Sequence, residues 1–197
     1  MVILVITIAY FRSRKHSDLP VVGQVTEFTL TNQLGQAVSL QDLRGRVWIA
    51  DIIFTRCPAQ CLQMTKNMRT LQAQLSHHVQ LLSLTADPAF DTPGILKAYA
   101  KRVDATDNWM FLTGSKSNVY HLAMNGLGLS AEETTPAERQ SLDDLFIHSK
   151  KFMLVDKRGR LRGVMDKNKN ISVGFDGDEA TSNPEIIAAV EKLMREK

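Results

Sequence analysis

In "VWIADIIFTRCPAQCLQMTKNMRTLQAQL" (Val47–Leu75) the spacing of the apolar residues changes once, and the change falls on the only two cysteines of the chain. Val47 to Phe54 is an apolar run of strand length interrupted by Asp51 alone, the pattern of a strand buried on both faces. From Cys57 onward the step becomes three and four. Cys61, Met64, Met68, Leu71 and Leu75 then share one buried helical face. Pro58 suits the first helical position, where its missing N–H is not needed, and Cys57 becomes the cap residue.

Working outward, the same alternation repeats. Upstream, a polar linker to about Gly23 precedes "EFTLTNQLGQAVSL", which reads as a hairpin turning at Asn32 and Gly35. Downstream, "VQLLSLTA" is a second buried strand, and Thr92–Pro93 open a helix with Ile95, Leu96, Tyr99 and Val103 inward. "WMFL" (109–112) is a third strand, and Ser115 starts a helix ending near Asn125 and Gly126. Leu129 to Asp144 is polar, contains Pro136, and reads as an exposed loop of the length associated with function. "IHSKKFMLVD" and "RLRGVMD" follow as two strands around a tight turn at Lys157–Gly159, and Asn183–Pro184 begin a closing helix. Strands alternating with helices predict an α/β sandwich with a central mixed sheet, an N-terminal hairpin and a C-terminal helix.

Composition narrows the function. Of the net charge of +3, Arg12, Arg14 and Lys15 against Asp18 supply +2, leaving 21 basic against 20 acidic residues, too balanced for nucleic acid. Phosphate-binding glycine loops, the zinc-protease helix motif and solenoid repeats do not occur. "MVILVITIAYFRSRK" is an eleven-residue apolar run followed by a basic cluster, about half of a membrane span. It reads as the remainder of a membrane anchor or as the apolar region of a signal peptide, with a core strand as the rival. The basic residues behind it favour a cytoplasmic location for that side, which conflicts with export.

Two cysteines dropped at random into this length fall within four positions about one time in twenty-five, so a chance core pair is the weaker explanation. At a helix start the free backbone N–H groups favour a thiolate on Cys57, making it the nucleophile or ligand, while Cys61 lies on the buried stripe. Residues four apart on a helix hold their Cβ atoms ~5–6 Å apart against the ~3.5–4.5 Å of a disulfide, so a shared metal asks for less distortion. A two-thiolate site is soft and prefers one cuprous ion. Among the histidines, His16 sits in the linker, His77 and His78 at a helix end and His121 on an amphipathic helix. His148 follows the long loop and opens an apolar strand. The residues alone leave it open whether His148 is a ligand or an ordinary strand residue.

"FTRCPAQC", "SLTADPAFDTPGILKAYAKR", "WMFLTGSKSNVYHLA" and "IHSKKFMLVDKRGRLRG" together make the chain resemble the Sco/SenC family, from about Val21 to Met165 and over most of the closing helix. The resemblance implies a thioredoxin-like three-layer fold and delivery of copper to the dinuclear copper centre of cytochrome c oxidase. It carries the family's metal ligands onto Cys57, Cys61 and His148, and its Asp-Pro aspartate onto Asp87 as an outer partner or a plain turn former. Met64 and Met68 keep their reading as core. The family's proline after the second cysteine is Leu62 here, and Ala59–Gln60 lack its intervening acid, which leaves affinity and potential open.

The expectations are therefore a tether and linker in 1–20, a thioredoxin-like domain in 21–197, and a soluble part facing the periplasm or extracytoplasmic space. One cuprous ion is expected on Cys57, Cys61 and His148. The expected partner is the copper-bearing oxidase subunit or another copper or thiol protein. The rival is an enzyme, a thiol–disulfide oxidoreductase in which Cys57 attacks and Cys61 resolves. A metal-free sensor using the 129–144 loop is the third class.

Overall fold

The computed structural model describes residues 19–57 and 60–196. The anchor and linker reading of the N-terminus, His16 and the placement of Pro58 lie outside the described residues. Among the described residues no helix is long and apolar enough to cross a membrane.

The strand in the opening stretch is β4 (Trp48–Ile53), and all six of its residues are buried. Neighbouring β5 (Gln80–Thr85) is also buried throughout and runs parallel to it. Successive strand residues point to opposite faces, so complete burial means that both faces of the sheet are covered. The covering helices are α2 (Gln60–Gln74), α3 (Pro93–Arg102), α4 (Lys116–Tyr120) and α5 (Asn183–Arg195), with a short α1 (Leu40–Leu43) beside the hairpin. Cys61, Met64, Met68 and Leu71 of α2 are fully buried, as their spacing predicts, and α2 packs against α5. Thr92 caps α3, accepting the Ile95 N–H.

The sheet is mixed, and its strands run in the order β1, β10, β9, β4, β5, β6, β2, β3. The strands not yet given are β1 (Val21–Gln24), β2 (Thr29–Asn32), β3 (Ala37–Ser39), β6 (Trp109–Thr113), β9 (Lys151–Val155) and β10 (Arg160–Met165). Asn32 and Gly35 make the β2–β3 turn: the Asn32 side chain accepts the Leu34 and Gln36 N–H groups, and Gly35 has φ +78°. The predicted α/β sandwich, hairpin and closing helix are all present.

Four details differ from the sequence reading. The linker ends in strand β1, paired with β10 through an irregular register at Val21–Gly23. The helix after Ser115 continues through a wider π turn, His121–Leu127, and stops at Gly128 (φ +71°). Gly126 is instead a close approach, since a Cβ there meets the Thr26 hydroxyl at 2.9 Å. Two short strands, β11 (Ile171–Val173) and β12 (Phe175–Asp176), extend β10 and β9 before the last helix. Most consequential for the site, Leu129–Asp144 is not wholly a loop. It contains β7 (Ala131–Glu133), which pairs with β8 (Phe146–His148) in a separate two-stranded sheet. "IHSKKFMLVD" is accordingly two strands. The Ser149 N–H is taken by Ser130 and the Lys150 carbonyl by the Gly177 N–H, so the chain changes sheet at this point.

Candidate metal centre

Where β4 ends, the chain must be turned into α2 with both cysteines facing one way, and a buried carboxylate does the turning. Asp91 accepts the Thr55 N–H (3.2 Å) and the Thr55 and Thr85 hydroxyls, clipping the ends of β4 and β5 together. Asp91 is fully buried, and burial raises its pKa above the ordinary carboxylate value. Arg56, next in the chain, donates from Nε (3.1 Å) and Nη2 (2.5 Å) to Asp87 and lies flat over the Phe90 ring at 4.2 Å. Asp87 therefore acts on the residue preceding Cys57, through Arg56.

The sulfur of Cys57 accepts the backbone N–H of Cys61 at 3.2 Å, filling one of the bonds that a helix start leaves open. Such a bond favours a thiolate on Cys57. Cys61 is fully buried, Cys57 is 6% exposed, and neither is in a disulfide. The Cys61 thiol is pushed well above its ordinary pKa, first by its hydrogen bond with Cys57 and then by burial. Cys61 therefore keeps its proton in the reduced, metal-free pair.

His148 closes β8, opposite Ala131 on β7. Its Nδ1 lies 3.1 Å from the Ser149 carbonyl, which can only accept, so Nδ1 carries the hydrogen and the Nε2 lone pair points the other way. Nε2 stands 3.3 Å from the Cys61 sulfur. The ring meets Phe54 edge-on at 5.8 Å, and Phe54 also packs on Phe146 at 5.1 Å. One aromatic at the end of β4 therefore seats the hairpin that brings in the imidazole.

Sulfur and imidazole ligands at ~2.3 and ~2.05 Å from one ion, at a tetrahedral angle, stand about 3.6 Å apart. The observed 3.3 Å is within a few tenths of that separation. The donor set of two sulfurs and one imidazole matches a soft monovalent cation. Among the described residues no three or more His, Cys, Asp or Glu side chains are gathered closely enough to hold a metal ion as they stand, Cys57, Cys61 and His148 included. Met64 and Met68 are fully buried in the core, as expected. His77, His78 and His121 are exposed.

One residue of the neighbourhood is invisible to motif reading. Asp51, in the middle of β4, is completely buried, and neither carboxylate oxygen has a hydrogen-bond partner among the described residues. Burial pushes it up to about 7, opposed by the neighbouring Ser83 hydroxyl and by His148. It also acts on Cys61, whose thiolate its charge disfavours. The only sequence signal was a lone charge in an apolar run.

The profile of the SCO1/SenC family matches residues 20–176. An SCO1 protein homologue of Bacillus subtilis is 36% identical over 147 residues, covering 72% of this chain and 73% of its own. Among solved structures, a SCO1/SenC family lipoprotein from Bacillus anthracis superposes with a TM-score of 0.72 at 29% identity, covering 91% of this chain and 98% of that one. BsSco, described as a member of the Sco family of cytochrome c oxidase assembly proteins with a disulfide switch, gives 0.69 at 33% identity, with 90% and 97% covered. Yeast Sco1 with copper bound gives 0.65 at 26% identity, with 90% and 96% covered.

Proposed function

The chain belongs to the SCO1/SenC family, and from that premise we propose that it is a tethered copper carrier that passes one cuprous ion to the dinuclear copper centre of cytochrome c oxidase. Cys57, Cys61 and His148 hold the ion. The observation that carries this reading is the imidazole in place, with Nε2 3.3 Å from the Cys61 sulfur and Nδ1 turned onto a backbone carbonyl. Cuprous copper accepts two or three ligands, so this set is sufficient.

Loading is under redox control. Binding needs both sulfurs reduced; forming the Cys57–Cys61 disulfide releases two protons and two electrons to an external oxidant and removes two of the three ligands. BsSco, with its disulfide switch, supports this part of the reading. Residues 1–20 serve as tether and linker and 21–197 as the functional domain, with the domain outside the cytoplasm; the lipoprotein character of the B. anthracis relative supports a membrane attachment.

The test is a titration of the reduced chain with one equivalent of cuprous ion against a competing chelator. Wild type takes up one ion, and His148→Ala weakens binding by more than ~100-fold, beyond the cost of losing an outer partner of a metal site. Disulfide exchange by Cys57 and Cys61 is unchanged in the variant. If exchange collapses while copper binding survives, the chain is instead a thiol–disulfide oxidoreductase, the reading that the two free, adjacent cysteines would otherwise favour.

A further inference from the structure

Next to the cysteines runs an open groove of about 380 Å³, lined by Thr55, Arg56, Phe90, Ile95, Tyr99 and Arg102 among others. It contains two guanidinium groups, each laid on an aromatic ring: Arg56 over Phe90 at 4.2 Å and Arg102 over Tyr99 at 4.7 Å. Stacking fixes such a group in place and leaves its N–H edge free to donate. Arg56 spends two of its donors on Asp87, but Arg102 is in no ion pair among the described residues.

The charge lining the groove has one sign, that of Arg56 and Arg102. Helix α3 forms the wall with Ile95, Ala98, Tyr99 and Arg102 and carries no acidic residue; its Lys97 and Lys101 lie on the face turned away from the groove. The nearby acids, Asp87 and Asp91, are buried and already bound by Arg56, Thr55 and Thr85. Between the cations the surface is apolar, with Phe90 39% exposed and Ile95 half-buried. Two of its residues are linked to the elements that carry the cysteines. Arg56 immediately precedes Cys57, and the Tyr99 hydroxyl shares a 2.9 Å hydrogen bond with Thr65, one turn beyond Cys61 on α2.

We infer that this groove is the docking site of the copper-accepting protein, and that it takes a segment bearing a carboxylate to meet Arg102 and an apolar side chain to lie on Phe90. The inference rests on the copper-delivery reading and adds the acceptor's approach to it. Seated there, the segment lies beside Cys57, the more accessible of the two sulfurs, and transfer begins at that bond. The copper–sulfur bond to Cys57 breaks as a bond to a ligand of the acceptor forms. The ion stays cuprous, no electron moves, and the proton lost by the acceptor's ligand balances the one that Cys57 regains.

The experiment uses the full chain loaded with one cuprous ion, mixed with the metal-free soluble copper domain of the oxidase subunit, and follows transfer against time and ionic strength. Arg102→Glu and Phe90→Ala alter the groove and none of the three ligands. Both are expected to load normally and to release copper to a small chelator at the wild-type rate. Transfer to the oxidase domain is expected to slow ~10-fold or more for Arg102→Glu, with a flatter salt dependence, because charge complementarity acts on the encounter rate. Lys97→Glu, exposed on the face of the same helix turned away from the groove, is the control and is expected to transfer at the wild-type rate.

Transfer within twofold of wild type in both Arg102→Glu and Phe90→Ala overturns the inference, as does an equal slowing in Lys97→Glu or towards the small chelator. If the variants lose only binding to phosphatidylglycerol vesicles, with transfer to the oxidase domain intact, the face belongs to lipid and the inference is overturned. A wild-type chain that takes up no copper refutes the copper reading itself at the loading step. One that loads but does not transfer refutes only the docking inference for this acceptor.

Discussion

Cys61 is rooted in the middle of the molecule, on a helix whose inner face is wholly buried and which springs from a strand covered on both sides. His148 stands on the last residue of a three-residue strand in a separate two-stranded sheet. The first is held by the packing of the whole core, the second by one short ladder, the Ser149–Ser130 bond and the Phe54 contact. Opening the hairpin costs far less than opening α2, because local stability follows the buried contacts that must be broken. The sulfur side is thus a fixed platform and the imidazole side a separable arm.

Four measurements sharpen or break that contrast. The largest effect is expected from Cys61→Ser, which should abolish cuprous binding in the chelator competition while leaving the fold intact, since the side chain keeps nearly its volume. Retained binding would mean that the platform is not where the ion sits.

Next in size is Asp51→Asn, which tests the charge under the platform. A carboxyl whose pKa rises from 3.8 unfolded to about 7 folded keeps its proton longer in the folded state. Its stability contribution is therefore present below about pH 4 and lost as pH rises through 7. The variant should lack this slope and at pH 8 be more stable than wild type by up to ~4 kcal/mol, the free energy of a three-unit shift. Denaturant unfolding of the reduced protein at pH 5 and pH 8 checks it. Equal pH slopes in the two proteins would mean that folding does not raise the Asp51 pKa.

Phe54→Leu, which removes the ring that seats the arm, should cost ~1–1.5 kcal/mol in stability. It should weaken copper binding more than a core substitution of equal cost far from the hairpin. Were the two to affect copper equally, arm and platform would be one unit.

The smallest effect is expected from Arg139→Ala. Arg139 bridges Thr134 (2.6 Å to its carbonyl) and Glu133 (3.1 Å) beside the hairpin. As a half-exposed ion pair with one carbonyl bond it is worth under ~1 kcal/mol. Amide exchange should accelerate in β7 and β8 and stay unchanged in α2.

The same contrast explains what could be read without coordinates. The platform was legible because its signals are local: the period change at Cys57, the Thr92–Pro93 start and the Asn32–Gly35 turn are set within a few residues of chain. The separate hairpin was not. Two of the three residues of β7 are exposed, so Ala131–Glu133 shows no apolar pattern, and its pairing depends on a segment fifteen residues away. Cys57, Cys61 and His148 were singled out by residue chemistry and family resemblance, although the spacing alone left His148 undecided. Asp51 and Asp91 escaped because their meaning lies in what surrounds them: one has no hydrogen-bond partner among the described residues, the other binds two threonines thirty residues apart. Neither condition is written in the neighbouring sequence.

The switch of sheets at Ser149–Lys150 makes residues 129–149 an excursion that leaves and rejoins the main body without interrupting any of its ladders. It can be treated as an exchangeable cassette. Replacing it with another hairpin of equal reach, ending in a thioether or a carboxylate in place of the imidazole, would retune which ion the two sulfurs prefer, while the scaffold below kept its shape.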